Sequence, residues 1–208
     1  MEYVGLQFTI WLKYFHMKIA TRFLLIASLL FSACGGTTDD AGGETEASDE
    51  AYYYTYKTAE FELQVPDDWN VVDAFDPEYP EDLRVAFKNN ETDSIFTANV
   101  TVLREENTKS DTSYDYAQRK LADHEENLLN YKLLEQEVVN LQVNGAESKT
   151  MLTTFEGKND ASSPTLDFMQ VTLCDGEKAW TVTATYREGT DGLTLEQLTT
   201  MLTSFSLR

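Results

Sequence analysis

From residue 52 onward, apolar and polar side chains alternate with a period of two over most of the chain. Phe61, Leu63 and Val65 alternate with Glu62 and Gln64, and Leu83, Val85 and Phe87 with Arg84, Ala86 and Lys88. Over 95–103, Phe96, Ala98, Val100 and Val102 share one face, with Thr97, Asn99 and Thr101 on the other. This pattern predicts half-buried strands. Residues 52–57 (YYYTYK) read as a further, aromatic strand, and Pro66 closes the 61–65 run ahead of Trp69. In the second half, strands are predicted at 138–143, 146–155 and 165–174. A last one carries Trp180, Val182, Ala184 and Tyr186 against Thr181, Thr183, Thr185 and Arg187. Asn144-Gly145 predicts a type I′ hairpin, because both central residues must take positive φ, and Asp175-Gly176 predicts a second tight turn.

Two stretches break from period two. Residues 113–130 read as a helix, with Asp111 or Thr112 as N-cap. Its apolar stripe is Tyr114, Ala117, Leu121, Leu128 and Tyr131, with His124 inside the stripe. A closing helix is expected from Thr194, where Thr194 and Gln197 fit a capping box. Leu195, Leu198, Met201 and Leu202 form its apolar face, and Phe205 and Leu207 finish the chain. Residues 73–82, with Pro77, Pro80 and several acids, read as a surface loop. The pattern as a whole predicts one α+β domain over 52–208, a mostly antiparallel sheet with helices packed on it.

Ahead of that domain, residues 23–36 (FLLIASLLFSACGG) follow Lys18 and Arg22 and join an apolar run to small residues and a cysteine. This order resembles the signal and lipobox of bacterial lipoproteins, with Ser32 and Ala33 at the small positions and Phe31 where leucine is usual. The resemblance implies removal of 1–33, lipid on the Cys34 thiol and an extracytoplasmic domain anchored in the cell envelope. Stable anchoring follows from two or more acyl chains. The compact signal begins at Met17, which makes Met17 an alternative start to Met1. A signal anchor is the competing reading, but Lys13, His16, Lys18 and Arg22 interrupt the apolar run well short of the ~20 residues a spanning helix needs. Residues 35–50 hold six acids, four glycines and no base. They are expected to be a disordered tether, because they offer too little apolar surface to offset ordering entropy. As a flexible coil they would span roughly 20–24 Å.

Charge and cysteine content narrow the partners. The 208 residues carry 16 bases and 36 acids, a formal net charge of −20. Without residues 1–33, which hold three bases and one acid, 13 bases and 35 acids remain and the charge is −22. Nucleic-acid binding needs clustered Lys and Arg, so that partner class is excluded. With Cys34 lipidated, Cys174 has no intramolecular partner, and a core of apolar side chains must hold the fold.

The opening strand into Pro66 and Trp69 (FELQVPDDW), the strand around Ala98-Asn99-Val100, the mid-chain helix, the Val143-Asn144-Gly145 hairpin and the terminal LTSF from Leu202 to Phe205 together resemble the PsbP-like superfamily. That superfamily includes DcrB-type bacterial lipoproteins. The resemblance spans 59–208 and implies an α/β/α sandwich that binds larger assemblies, with no shared catalytic residues to transfer.

Catalytic signatures are absent from the sequence. There is no phosphate-cradling glycine loop, nucleophile elbow, HExxH or CxxC motif. His124 and Cys174 are the residues through which an enzyme would have to work. Asp67, Asp68 and the 73–82 loop are the places where a Ca²⁺-dependent binding protein would hold its ion. No catalytic residue, metal site or cofactor is assigned. The expected role is a non-catalytic binding or assembly module with a protein partner in the envelope. Its candidate contact residues are Tyr52, Tyr53, Tyr54, Tyr56 and Trp69, with the ladder Thr181, Thr183 and Thr185. An edge-strand packing role is the competing account of the tyrosines.

Overall fold

The computed structural model describes residues 51–75, 79–90 and 96–208. The leader, Cys34 and the 35–50 tether lie outside the described residues, as do parts of the 73–82 loop and of the turn before residue 96. The elements are β1 (Tyr53–Lys57), β2 (Phe61–Pro66), β3 (Asn70–Val72), β4 (Leu83–Lys88), β5 (Asn99–Glu106), α1 (Ser113–Asn127), β6 (Leu129–Val143), β7 (Ala146–Lys158), β8 (Leu166–Asp175), β9 (Lys178–Tyr186), α2 (Gly192–Thr203) and β10 (Ser206–Leu207).

All ten described strands form one sheet in the order β1-β2-β10-β6-β7-β8-β9-β5-β4-β3. Every pairing is antiparallel except β10 with β6. The α+β expectation holds. The short β10, which was not expected, bridges two parts of the sheet by inserting Ser206 and Leu207 between β2 and β6.

One helix lies on each face. On β8, Thr172 and Gln170 face α1: the Thr172 hydroxyl donates to the Ser113 carbonyl at 3.1 Å, and Gln170 lies 3.2 Å from His124. Met169, Val171 and Leu173 point the other way, into a core closed by Leu198, Met201 and Leu202 of α2. Phe61, Leu63, Val65, Val85, Phe87, Val100, Val102 and Trp180 complete that core. Alternation thus serves two buried faces on the central strands, where parity selects which helix a side chain meets.

Helix boundaries differ from those expected. Thr112 caps α1, its hydroxyl accepting from the Asp115 N–H at 3.2 Å. The helix ends at Asn127, after which Leu128 is extended and Asn130 takes φ +56°, so the chain turns straight into β6. Tyr116 and Ala117, with Ser113, form its buried side, whereas Tyr114 of the expected stripe is only half-buried. α2 begins before Thr194: Asp191 is its cap and accepts from the Thr194 N–H at 2.9 Å. A carboxylate at this position also favours the positive end of the helix dipole. Asn144 and Gly145 take φ +53° and +77°, as a type I′ turn requires. In the β8–β9 turn Asp175 is still paired with Lys178, and Gly176 carries the positive φ.

The start of α1 is joined to the sheet through Ser113. The β7–β8 register runs from Thr153 opposite Gln170 to Gly157 opposite Leu166. Beyond it, the Ser113 hydroxyl accepts from the Cys174 N–H at 2.9 Å and lies 2.8 Å from the Ser148 hydroxyl, while Thr150 donates to the Thr172 carbonyl at 2.7 Å. Side chains thereby take up backbone groups that would otherwise be buried without partners.

Trp180 is almost fully buried, in contact with Phe61 at a ring separation of 5.4 Å. Trp180→Ala is expected to lower the unfolding free energy by ~3–5 kcal/mol, read from urea melts at constant m-value; a loss under ~1 kcal/mol would contradict this core assignment.

Candidate functional site

The two side chains with nucleophile or base chemistry occupy separate, structural positions. Cys174 ends β8 opposite Ala179, with its backbone held by Ser113. Burial pushes its thiol up to about 12, the Asp111 carboxylate adds to the rise, and Arg119 opposes it. His124 stacks on Phe155 at 4.8 Å, and Phe155 stacks in turn on Phe168 at 5.1 Å. Its Nε2 lies 3.2 Å from the Gln170 side-chain oxygen, and the Gln170 amide donates to the Thr183 hydroxyl at 2.9 Å. Ser113, beside Cys174, and His124 are separated by about 16 Å along α1. A shared site for the two is therefore ruled out by position.

One charge cluster joins side chains of α1 to β5. Glu105 accepts from the Tyr116 hydroxyl at 2.6 Å and pairs with Lys120 at 2.5 Å, and Arg119 pairs with Asp111. Burial alone would raise the Glu105 carboxyl, but the attraction and hydrogen bond of Lys120, with the Tyr116 hydroxyl, hold it below the usual carboxylate range. Burial, with Glu105 nearby, pushes the Tyr116 phenol well up, so it stays a donor. This arrangement fastens α1 to the sheet. A second cluster joins Glu60 to both Arg104 and Lys178 at 2.9 Å, tying the β1–β2 turn to β5 and β9. Among the described residues, no group of three or more His, Cys, Asp or Glu side chains is arranged to hold a metal ion.

The expected contact residues divide. Tyr52 is 78% exposed and Tyr54 is exposed, whereas Tyr53 and Tyr56 are half-buried. Tyr56 meets Phe87 edge-on at 5.1 Å and so belongs to the core boundary. Trp69 is not a surface residue: it is 4% exposed, and its indole N–H donates to the Gln197 side-chain oxygen at 2.9 Å, which ties β2–β3 to α2. The threonine ladder is also not a free face. Thr181 is 3% exposed, Thr183 accepts from Gln170, and Thr185 is half-buried opposite Asn99 and Phe168. The ladder lies on the face that carries α1.

β6 carries an exposed apolar group that the local pattern does not predict. Leu129, Leu133, Leu134 and Val138 are all exposed on β6, Val138 to 52%. The sequence pattern predicts a helix to residue 130 and a strand only from 138, whereas β6 begins at Leu129, and two register shifts spoil the alternation of its first half.

No family model and no curated protein matches the chain. Among solved structures, it is similar to cyanobacterial PsbP (CyanoP) from Synechocystis, at 16% identity and TM-score 0.49, covering 80% of this chain and 98% of that one. It is similar to LpqN, involved in cell envelope biogenesis of Mycobacterium tuberculosis, at 11% identity and TM-score 0.49, covering 77% and 87%. It is also similar to a Pseudomonas aeruginosa protein of unknown function described as a putative regulator, at 18% identity and TM-score 0.42, covering 66% and 84%. At these identities no residue role transfers.

Two outcomes follow from the titrating groups. A folded carboxylate held low contributes stability that is present above its unfolded pKa of about 4.3 and is lost as pH falls through the folded value. Glu105→Gln should cost about 1.5–3 kcal/mol at neutral pH. It should also flatten the fall in urea midpoint on acidification; an unchanged slope would refute the pairing. Cys174, holding its proton up to about 12, should alkylate in the folded chain at least about a hundredfold more slowly than a free thiol near neutral pH, and faster as pH rises. Mass mapping of the labelled cysteine checks this, and a rate like that of an exposed thiol would refute it.

Proposed function

We propose that this chain is a lipid-anchored, extracytoplasmic binding module of the cell envelope. Residues 1–33 act as a cleaved signal, with translation beginning at Met1 or Met17. Cys34 carries the lipid, the acidic residues after it form the tether, and 52–208 form the presented domain. Partners are membrane lipid through Cys34 and an envelope protein bound by the domain.

The anchoring half rests on the FLLIASLLFSACGG order and the resemblance it carries. No helix among the described residues is long and apolar enough to cross a membrane. The binding half rests on one observation: four of the eight exposed large apolar side chains of the described residues, Leu129, Leu133, Leu134 and Val138, lie on β6, while His124 and Cys174 are held in separate packing contacts. Clustered exposed apolar surface marks interaction sites, whereas scattered single residues do not. The sequence resemblance to PsbP-like proteins, whose members act through larger assemblies, favours the same reading.

Cells fed a clickable fatty-acid analogue should incorporate label into the wild-type chain, and Cys34→Ser should abolish it. Equal labelling of the two would overturn the anchor.

A further inference from the structure

β6 is paired on both sides only at its end. Among the described residues, β10 meets it at Gln142 and Val143, and residues 129–141 have a hydrogen-bonding strand on the β7 side alone. Two irregularities divide this free edge. Asn130 takes positive φ within the first register shift. Leu133 lies opposite Phe155 and Glu135 opposite Thr154, which leaves Leu134 as an extra residue. Bulges of this kind interrupt edge pairing. What remains is a regular unpaired edge over 135–141, about 23 Å long at the usual strand rise.

Its two faces differ in chemistry. Gln136 and Val138, opposite Thr153 and Met151, lie on the α1 side, as does Leu133 opposite Phe155, and Val138 and Leu133 are exposed. Glu135 and Glu137, opposite Thr154 and Leu152, lie on the other side, and both are exposed. The nearby bases are engaged elsewhere: Lys132 pairs with Glu156 at 3.5 Å, and Lys149 sits 4.7 Å over the Tyr114 ring. Among the described residues neither Glu135 nor Glu137 has an ion-pair partner.

We propose that the 135–141 edge of β6 is a strand-addition site for an extended segment of a partner protein in which basic and apolar side chains alternate. The proposal rests on the binding-module reading and names its partner class. Main-chain pairing along the edge supplies sequence-independent attachment, and alternate side chains supply selectivity. Bases of the incoming strand fall opposite Glu135 and Glu137, and its apolar residues fall beside Gln136 and Val138. Opposite charges across strands are favourable and like charges are not. A second copy brings the same two carboxylates on a chain of net charge −20, and residues 35–50 of this chain bring six acids and no base. The charge pattern therefore selects a basic partner over both.

The test uses the full chain in mild detergent and two short blocked peptides, one alternating lysine with valine and one alternating glutamate with valine. The lysine peptide should slow amide exchange over 135–141 by about tenfold or more, as a newly paired edge does, and the glutamate peptide should not. The double variant Glu135→Lys with Glu137→Lys should reverse the preference. Protection by both peptides alike, protection by neither, or concentration-dependent protection without peptide, which is the signature of a second copy, would each overturn the proposal. None of these outcomes bears on the lipid anchor, which fatty-acid labelling reads separately.

Discussion

Two helices must cover a sheet of ten strands. The sheet curls to help them, so that strands far apart in its order meet: Tyr56 of β1 packs on Phe87 of β4 at 5.1 Å and Phe61 of β2 on Trp180 of β9 at 5.4 Å. Each helix covers part of one face of the curled sheet, and much of the architecture follows from where the two are placed. They sit on opposite faces at the middle of the sheet, so β8 and β9 are buried on both sides. Strands further out keep one face, or one edge, uncovered. Phe61, Trp180 and Phe205 gather where α2 closes the larger core, and β6 is left with exposed leucines.

Holding α1 on its face requires polar chemistry, because that face is rich in Thr and Gln as well as aromatic rings. Ser113 accepts a backbone hydrogen bond from β8, Glu105 draws in Tyr116 and Lys120, and Gln170 links His124 to Thr183. Each of these groups would be costly to bury unpaired, so together they fix the register of the helix on the sheet. The same network draws Cys174 and His124 into packing roles at separate points. A surface that recognises another chain through an edge needs this rigidity: strand addition succeeds when the receiving strand is already held in place, which β7 does for β6.

Most of the strands could be read from the sequence because one buried face imposes period two, and the hairpin turns because Asn144-Gly145 and Gly176 have few alternatives at positive φ. The helix caps were harder. Asp191 rather than Thr194 begins α2, since either residue can accept a hydrogen bond from an N–H three positions on, and the sequence does not order them. Trp69 and Thr181 were misread as surface for a common reason: local pattern shows that a side chain is on one side of a strand, not what packs there. Gln197 and α1, far away in sequence, decided both.

The sequence by itself determined the strand faces, the hairpin chemistry, the existence of both helices, the acidic charge and the expected lipid attachment point at Cys34. Each is a property of neighbouring residues. Only the tertiary structure decided which faces meet a helix, that Ser206 and Leu207 fill the gap between β2 and β6, and that β6 runs back to Leu129 with one edge unpaired among the described residues. Those features depend on pairings between distant segments, and the bulge at Leu134 removes the periodicity that would have announced the strand. An edge is defined by the absence of a neighbour in space, which no local pattern records.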